Sequence, residues 1–287
     1  MFRTILVPTD GSAGARRAFA HAVALAERYR ADVHTLAVDS ADGGVDTTAR
    51  LASTVEAADT TADVTQADRT GVAHEEILDY AEAVGADLLV LGTHGRTGVR
   101  RYLLGSVTEK VVRLSDVPVL TVRAGDDARV RFPYQNVLVP TDGSEQAAAA
   151  VDPATDIAAT CEAHLHAVSV VDTRAMGTVT RPDVLLDQLK SQARSAVDAV
   201  AREASHGGVD SVRTAVQEGL PYRALLAYVD EFDIDLVVMG THGRRGVDRY
   251  LLGSVTEKLV RTAPAPVLSV RAPDDAAQST GTSATPE

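Results

Sequence analysis

Two rhythms of apolar and polar positions alternate along the chain. Residues 4–9 form a short apolar run, TILVPT, closed by Asp10 and Gly11. From Ser12 the period lengthens. Ala15, Ala18, Phe19, Ala22, Val23 and Ala26 recur at helical spacing, which predicts a helix with one buried stripe. Further strands are expected at 33–38, 64–68 and 88–91, with a helix at 75–84 between the last two. Gly105 opens another helix to Leu114, and a strand at 117–122 closes the series. Strands that alternate with helices imply a parallel sheet covered on both faces. Such sheets take ligands at the carboxyl ends of their strands, where the strand order reverses.

The series then starts again. FRTILVPTDGS at 2–12 is answered by YQNVLVPTDGS at 134–144. LGTHGRTGVRRYLLGSVTEK at 91–110 is answered by MGTHGRRGVDRYLLGSVTEK at 239–258, and PVLTVRA at 118–124 by PVLSVRA at 266–272. The first motif recurs after 132 residues and the second after 148, so the second copy carries 16 extra residues between them. The extra length falls around 173–205, where 183–202 has helical periodicity; the counterpart near 47–58 is short. This internal repeat predicts two tandem α/β domains, at 1–124 and 134–272, with a linker at 125–133. The tail, 273–287, has no apolar period and is expected to be disordered. Pro153 falls inside the first helix of the second copy and should bend it, because it cannot donate a backbone hydrogen bond.

Composition narrows the function classes. A net charge of -12 argues against nonspecific nucleic-acid binding, which needs a basic face. Lysine occurs only at Lys110, Lys190 and Lys258; either a GC-rich genome or a saline cytoplasm produces that skew. The single cysteine, Cys161, cannot form a disulfide within the chain, which fits a reducing compartment. No leader-like start is present, and no apolar run approaches the roughly 18–20 residues that span a bilayer. The expectation is a cytoplasmic protein without membrane insertion.

The chemistry concentrates in the glycines. Gly92 and Gly95 are followed by Gly105 and Ser106, and Gly240 and Gly243 by Gly253 and Ser254, at identical spacing. Glycine lets backbone N–H groups turn toward a phosphate and lets the phosphate approach closely. A helix starting at Gly105-Ser106 adds unpaired N–H groups and a positive dipole end. Ser106 with Glu109, and Ser254 with Glu257, also read as capping boxes, which explain the Ser and Glu but not the spaced glycines. No Walker-type G-x-x-x-x-G-K-[ST] occurs. Asp10 and Asp142 end the first strands, where a carboxylate can accept from an adenine amine or a ribose hydroxyl. Asp-Gly-Ser is equally a turn followed by a helix cap, and each aspartate alone leaves both readings open. Arg96, Arg100, Arg101, Arg244, Arg245 and Arg249 either neutralise phosphates or remain solvated loop charges. His94 and His242 lie between the first two glycines, without a partner that the sequence identifies. His164 and His166 alternate on a strand and are read as structural, since two histidines make a poor metal site.

Together, P-T-D-G-S, the G-x-x-G-x9-G-S loop and P-V-L-x-V-R resemble the universal stress protein family, in its tandem form and its ATP-binding branch. The resemblance covers 2–124 and 134–272. It implies a doubly wound, Rossmann-like five-stranded sheet in the order 3-2-1-4-5 in each half. It implies adenine and ribose contacts from Pro8, Asp10 and Val38, and phosphates on Gly92, Gly95, Gly105, Ser106 and Val107. The matching positions in the second copy are Pro140, Asp142, Val170, Gly240, Gly243, Gly253, Ser254 and Val255. It implies ATP, or ADP or AMP, with Mg2+ carried by the phosphates, and last strands that pair as an intramolecular pseudo-dimer, with a homodimer as a further option. An unknown protein partner completes the set. The shorter connection at 40–61 implies a more exposed nucleotide in the first half, and Asp39 stands where the second copy continues its strand with Val171. The favoured reading is a non-catalytic ATP-binding module. The rivals are a slow ATPase or phosphotransferase, with His94 and His242 as the candidate bases, and a nucleotide-free protein scaffold.

Overall fold

The computed structural model describes residues 1–39, 47–56, 60, 62–93, 104–123, 125, 128–174, 182–243 and 252–273. The first half runs β1 (Thr4–Thr9), α1 (Ala13–Tyr29), β2 (Asp32–Asp39), α2 (Thr47–Val55), β3 (Val64–Thr70), α3 (Ala73–Val84), β4 (Leu88–Gly92), α4 (Ser106–Leu114) and β5 (Val119–Val122). The second half runs β6 (Asn136–Pro140), α5 (Glu145–Ala148), α6 (Val151–Cys161), β7 (His164–Val171), α7 (Pro182–His206), β8 (Val212–Glu218), α8 (Pro221–Glu231), β9 (Leu236–Gly240), α9 (Ser254–Thr262) and β10 (Val267–Val270).

The ten described strands join one sheet, β3-β2-β1-β4-β5-β10-β9-β6-β7-β8. Each half is a parallel sheet in the order 3-2-1-4-5, as the resemblance implies. The halves meet at β5 and β10, the one antiparallel pairing among the described strands, with Leu120 opposite Leu268. That contact hides the edge that each half would otherwise expose. Central strands are apolar on both faces: β4 and β9 bury every residue from Leu88 to Leu91 and from Leu236 to Gly240.

The apolar core divides by face. On the α1/α6 face one cluster runs through both halves and includes Phe2, Phe19, Leu120, Tyr134, Ile157 and Leu268. On the other face each half has its own cluster, under α3 and α4 or under α8 and α9. Two leucines trade halves there. Leu104 packs into the cluster of the second half, and Leu252 against that of the first. Polar contacts reinforce the junction: His21 Nε2 lies 2.7 Å from the Tyr134 hydroxyl, and Tyr29 donates to Asp156 at 2.8 Å.

The halves differ where the sequence predicts. Pro153 interrupts the first helix of the second half: α5 ends at Ala148, and α6 begins at Val151. The break falls at the turn where residue 149 would have received the missing N–H. The corresponding α1 is continuous over 17 residues. The inserted segment is α7, 25 residues against the 9 of α2. Asp39 does not shorten its strand; it pairs with Thr70 as Val171 pairs with Glu218.

Candidate functional site

The site forms where β1 and β4 end side by side. Leu6 is opposite Leu89, and carrying that register forward sets Gly92 level with Thr9, next to Asp10. In the second half Leu138 is opposite Val237, which sets Gly240 level with Thr141, next to Asp142. Pro8 lies in β1 opposite Leu36, and Pro140 in β6 opposite Val168. Val38 and Val170 lie on the next strands, two positions beyond those partners.

The aspartates sit in tight turns. Asp10 accepts from Ser12 N–H at 2.9 Å, and Asp142 from Ser144 N–H at 3.0 Å. Gly11 and Gly143 between them take φ of 74° and 78°, a region that favours glycine. Ser12 then caps α1 by accepting from Ala15 N–H, and Ser144 caps α5 by accepting from Ala147 N–H. The turn reading of Asp-Gly-Ser is therefore realised, with one carboxylate oxygen engaged locally.

The glycines have separate physical reasons. A Cβ on Gly92 would stand 2.7 Å from the backbone carbon of Gly14, and one on Gly240 would stand 2.2 Å from the Gln146 carbonyl oxygen. These two glycines let the first helix of each half cross the strand end, a packing requirement that leaves their backbone N–H groups a separate matter. Gly243 differs. A Cβ there would stand 2.7 Å from Asp142 Oδ2, so the second glycine faces the strand-end carboxylate. Gly253 passes close over the strand end, where a Cβ would stand 3.0 Å from the Thr241 carbonyl oxygen.

The capping-box expectation is corrected. Gly105 and Gly253 are themselves the N-caps, with no side-chain hydrogen bond; Ser106 and Ser254 are the first helical residues. The box needs the serine one position earlier, so that its hydroxyl can reach the third helical N–H. The first turns of α4 and α9 thus begin on bare backbone, with Ser106 and Ser254 exposed. Their amides, with the dipole end behind them, favour an anion.

Threonines that the motif reading passed over hold this arrangement. Gly105 N–H donates to the Thr93 carbonyl and Gly253 N–H to that of Thr241, both at 2.8 Å. Thr108 and Thr256 hydroxyls donate back to the Gly92 and Gly240 carbonyls, both at 2.9 Å. Each helix start is thereby fastened to the end of β4 or β9. The signal was present, since these threonines repeat in both copies. His94, Gly95, Arg96, Arg100 and Arg101 lie outside the described residues, as do Arg244, Arg245 and Arg249. His166 is buried against Tyr228, whose hydroxyl lies 3.0 Å from Nδ1, and packs on the Phe232 ring. No described helix is long and apolar enough to cross a membrane.

The architecture is a tandem pair of doubly wound α/β units joined through their last strands. The chain belongs to the universal stress protein family, whose model matches residues 1–123 and 133–271. A universal stress protein of Methanocaldococcus jannaschii is 33% identical over 143 residues, 49% of this chain and 84% of that one. The crystal structure of a universal stress protein from Archaeoglobus fulgidus superposes with a TM-score of 0.69 at 24% identity, covering 94% of this chain and 98% of that one. A putative universal stress protein from Pseudomonas aeruginosa gives 0.66 at 20% identity, with 94% and 93% covered. These two likenesses concern the fold.

Proposed function

We propose that each half binds one adenine nucleotide, ATP or its products ADP and AMP, in the crevice over β1 and β4 or over β6 and β9. The observation that carries this reading is the approach of Gly243 to the Asp142 carboxylate beside the bare N-terminus of α9. A carboxylate acceptor for an amine or a hydroxyl and a backbone anion cradle then share one crevice. Adenine offers an amine where guanine presents an acceptor, so the aspartate favours ATP over GTP. Pro8, Asp10 and Val38, with Pro140, Asp142 and Val170, would face base and ribose. Gly92, Gly95, Gly105, Ser106 and Val107, with Gly240, Gly243, Gly253, Ser254 and Val255, would face the phosphates. A magnesium ion would ride on the phosphates, since their charge suffices to hold it.

The module is a binder rather than a hydrolase: occupancy stabilises the folded state that a protein partner would recognise. At a nucleotide concentration one hundred times Kd the stabilisation is about 2.7 kcal/mol. Calorimetric titration of the full chain with ATP and magnesium tests the reading. Two nucleotides per chain, with GTP binding more weakly, are expected. Neither heat nor a thermal shift with ATP, together with no ATP, ADP or AMP released from freshly denatured protein, would overturn it. Phosphate release within minutes would instead mark an ATPase.

A further inference from the structure

His242 stands between Gly240 and Gly243, just beyond the end of β9. Its Nδ1 lies 3.0 Å from the Thr241 hydroxyl oxygen. Its Nε2 is buried and has no hydrogen-bond partner. Buried polar atoms are nearly always paired, and an orphan in a candidate site points to a group that arrives from outside.

The ring is held from behind. Thr241 N–H donates to the Val270 carbonyl, and the Thr241 carbonyl accepts from Gly253 N–H at 2.8 Å. Thr241 is thus fixed between the last strand and the start of α9, and its hydroxyl anchors the imidazole. Gly253, at the start of α9, passes close to this residue: a Cβ there would stand 3.4 Å from His242 Cα. The matching His94 lies outside the described residues.

We propose that His242 is a nucleotide-contacting residue whose Nε2–H donates to a phosphate oxygen. The inference rests on the nucleotide reading above and assigns a side chain to a cradle otherwise built of backbone. The electrostatics choose the tautomer. The amides of the α9 start gather negative charge, so Nε2, the ring nitrogen left without a partner, should carry the hydrogen, with Nδ1 accepting the Thr241 hydroxyl proton. No bond is made or broken at the ring. It positions the phosphates and takes no proton from an attacking water.

The test uses the full chain and two variants, His242→Phe and His242→Gln, titrated with ATP and with adenosine. Replacing the ring by phenyl should weaken ATP binding about tenfold at one of the two sites, as loss of a charge-assisted hydrogen bond does. Adenosine affinity should not change, because adenosine has no phosphate to meet the nitrogen. The glutamine variant retains an N–H and should recover most of the loss. In 15N spectra, the imidazole signal absent from His242→Gln should report hydrogen on Nε2 and should shift on adding ATP. Melting curves without nucleotide establish that each variant is folded. If the phenylalanine variant does not fold, the 15N shift decides, and an unmoved Nε2 signal overturns the proposal. Unchanged ATP affinity at both sites also overturns it, as does an equal loss for adenosine. If the wild-type chain binds no nucleotide at all, the nucleotide reading falls and this inference with it.

Discussion

The Arg123 guanidinium crosses the seam between the halves and donates to the Thr262 carbonyl at 3.1 Å. A second bond from the same nitrogen reaches Ala263 at 3.3 Å. Arg271 makes the mirrored reach, to the Leu114 carbonyl at 3.2 Å and the Asp116 carboxylate at 3.1 Å. Each arginine closes P-V-L-x-V-R in one half and caps the last turn of a helix in the other. Helix ends leave carbonyls unpaired and carry a negative dipole, so a cation stabilises them.

The two arginines should contribute unequally. Arg123 is buried, so Arg123→Ala strands carbonyls away from water and should cost about 3 kcal/mol. Asp116 is almost fully exposed, so its ion pair with Arg271 adds little, and Arg271→Ala should cost about 1 kcal/mol. Urea denaturation of the two variants measures the difference. Equal losses would show that the seam does not depend on the buried reach of Arg123.

Leu104 should matter to the half it does not belong to. It is buried in the cluster beneath α8 and α9, although it directly precedes Gly105 of the first half. Leu104→Ala removes buried apolar volume and should cost about 2–4 kcal/mol. Hydrogen exchange should show reduced protection on β9 and α9, across the seam. Loss confined to the first half would contradict this packing.

Acid should loosen the junction. Burial pushes the His21 imidazole down to about 4, from an ordinary value of 6.5. Burial, with neighbouring Arg213 and His164, holds His166 at about 4 as well. Between those limits the unfolded chain binds protons that the folded chain refuses. Stability is therefore full above pH 6.5, falls as pH drops toward 4 and levels off below it. His21, the more deeply buried of the two, accounts for about 3 kcal/mol of that loss, and His166 adds in the same direction. His21→Gln retains a polar partner for Tyr134 and should flatten the slope by one proton. Urea midpoints taken from pH 4 to 7 test it; an unchanged slope would mean that His21 is not the titrating group.

The repeat made most of the fold readable, because two copies of one pattern disclose which positions a shared architecture requires. Strand and helix positions followed from apolar period, and the order 3-2-1-4-5 followed from the resemblance carried by the motifs. The interruption at Pro153 followed from one missing donor. What escaped notice was whatever depends on the third dimension. Gly92 and Gly240 carry a packing role that the motif does not disclose, since a side chain there would meet the backbone of the neighbouring helix. Ser106 looked like a cap, but helix phase placed it one residue inside. The exchange of Leu104 and Leu252 could not be read from either copy alone, since it appears only when the halves are joined.

Gly240 and Gly243 differ in what a side chain would meet, backbone at the first and a carboxylate at the second. A methyl on Gly240 meets the Gln146 carbonyl oxygen, a backbone atom that moves only with the start of α5. Gly240→Ala should therefore cost about 1–3 kcal/mol of stability, as overpacking against fixed backbone does. A methyl on Gly243 meets Asp142 Oδ2, the end of a side chain rather than backbone. Gly243→Ala should leave stability within about 0.5 kcal/mol of wild type. Displacing the carboxylate should nevertheless weaken nucleotide binding in the second half, while the first half binds as before. Denaturation midpoints and calorimetric titration of both variants distinguish the two glycines. If Gly243→Ala binds ATP at both sites with unchanged affinity, the approach of Gly243 to Asp142 is packing alone, and the second crevice loses the observation on which its assignment rests.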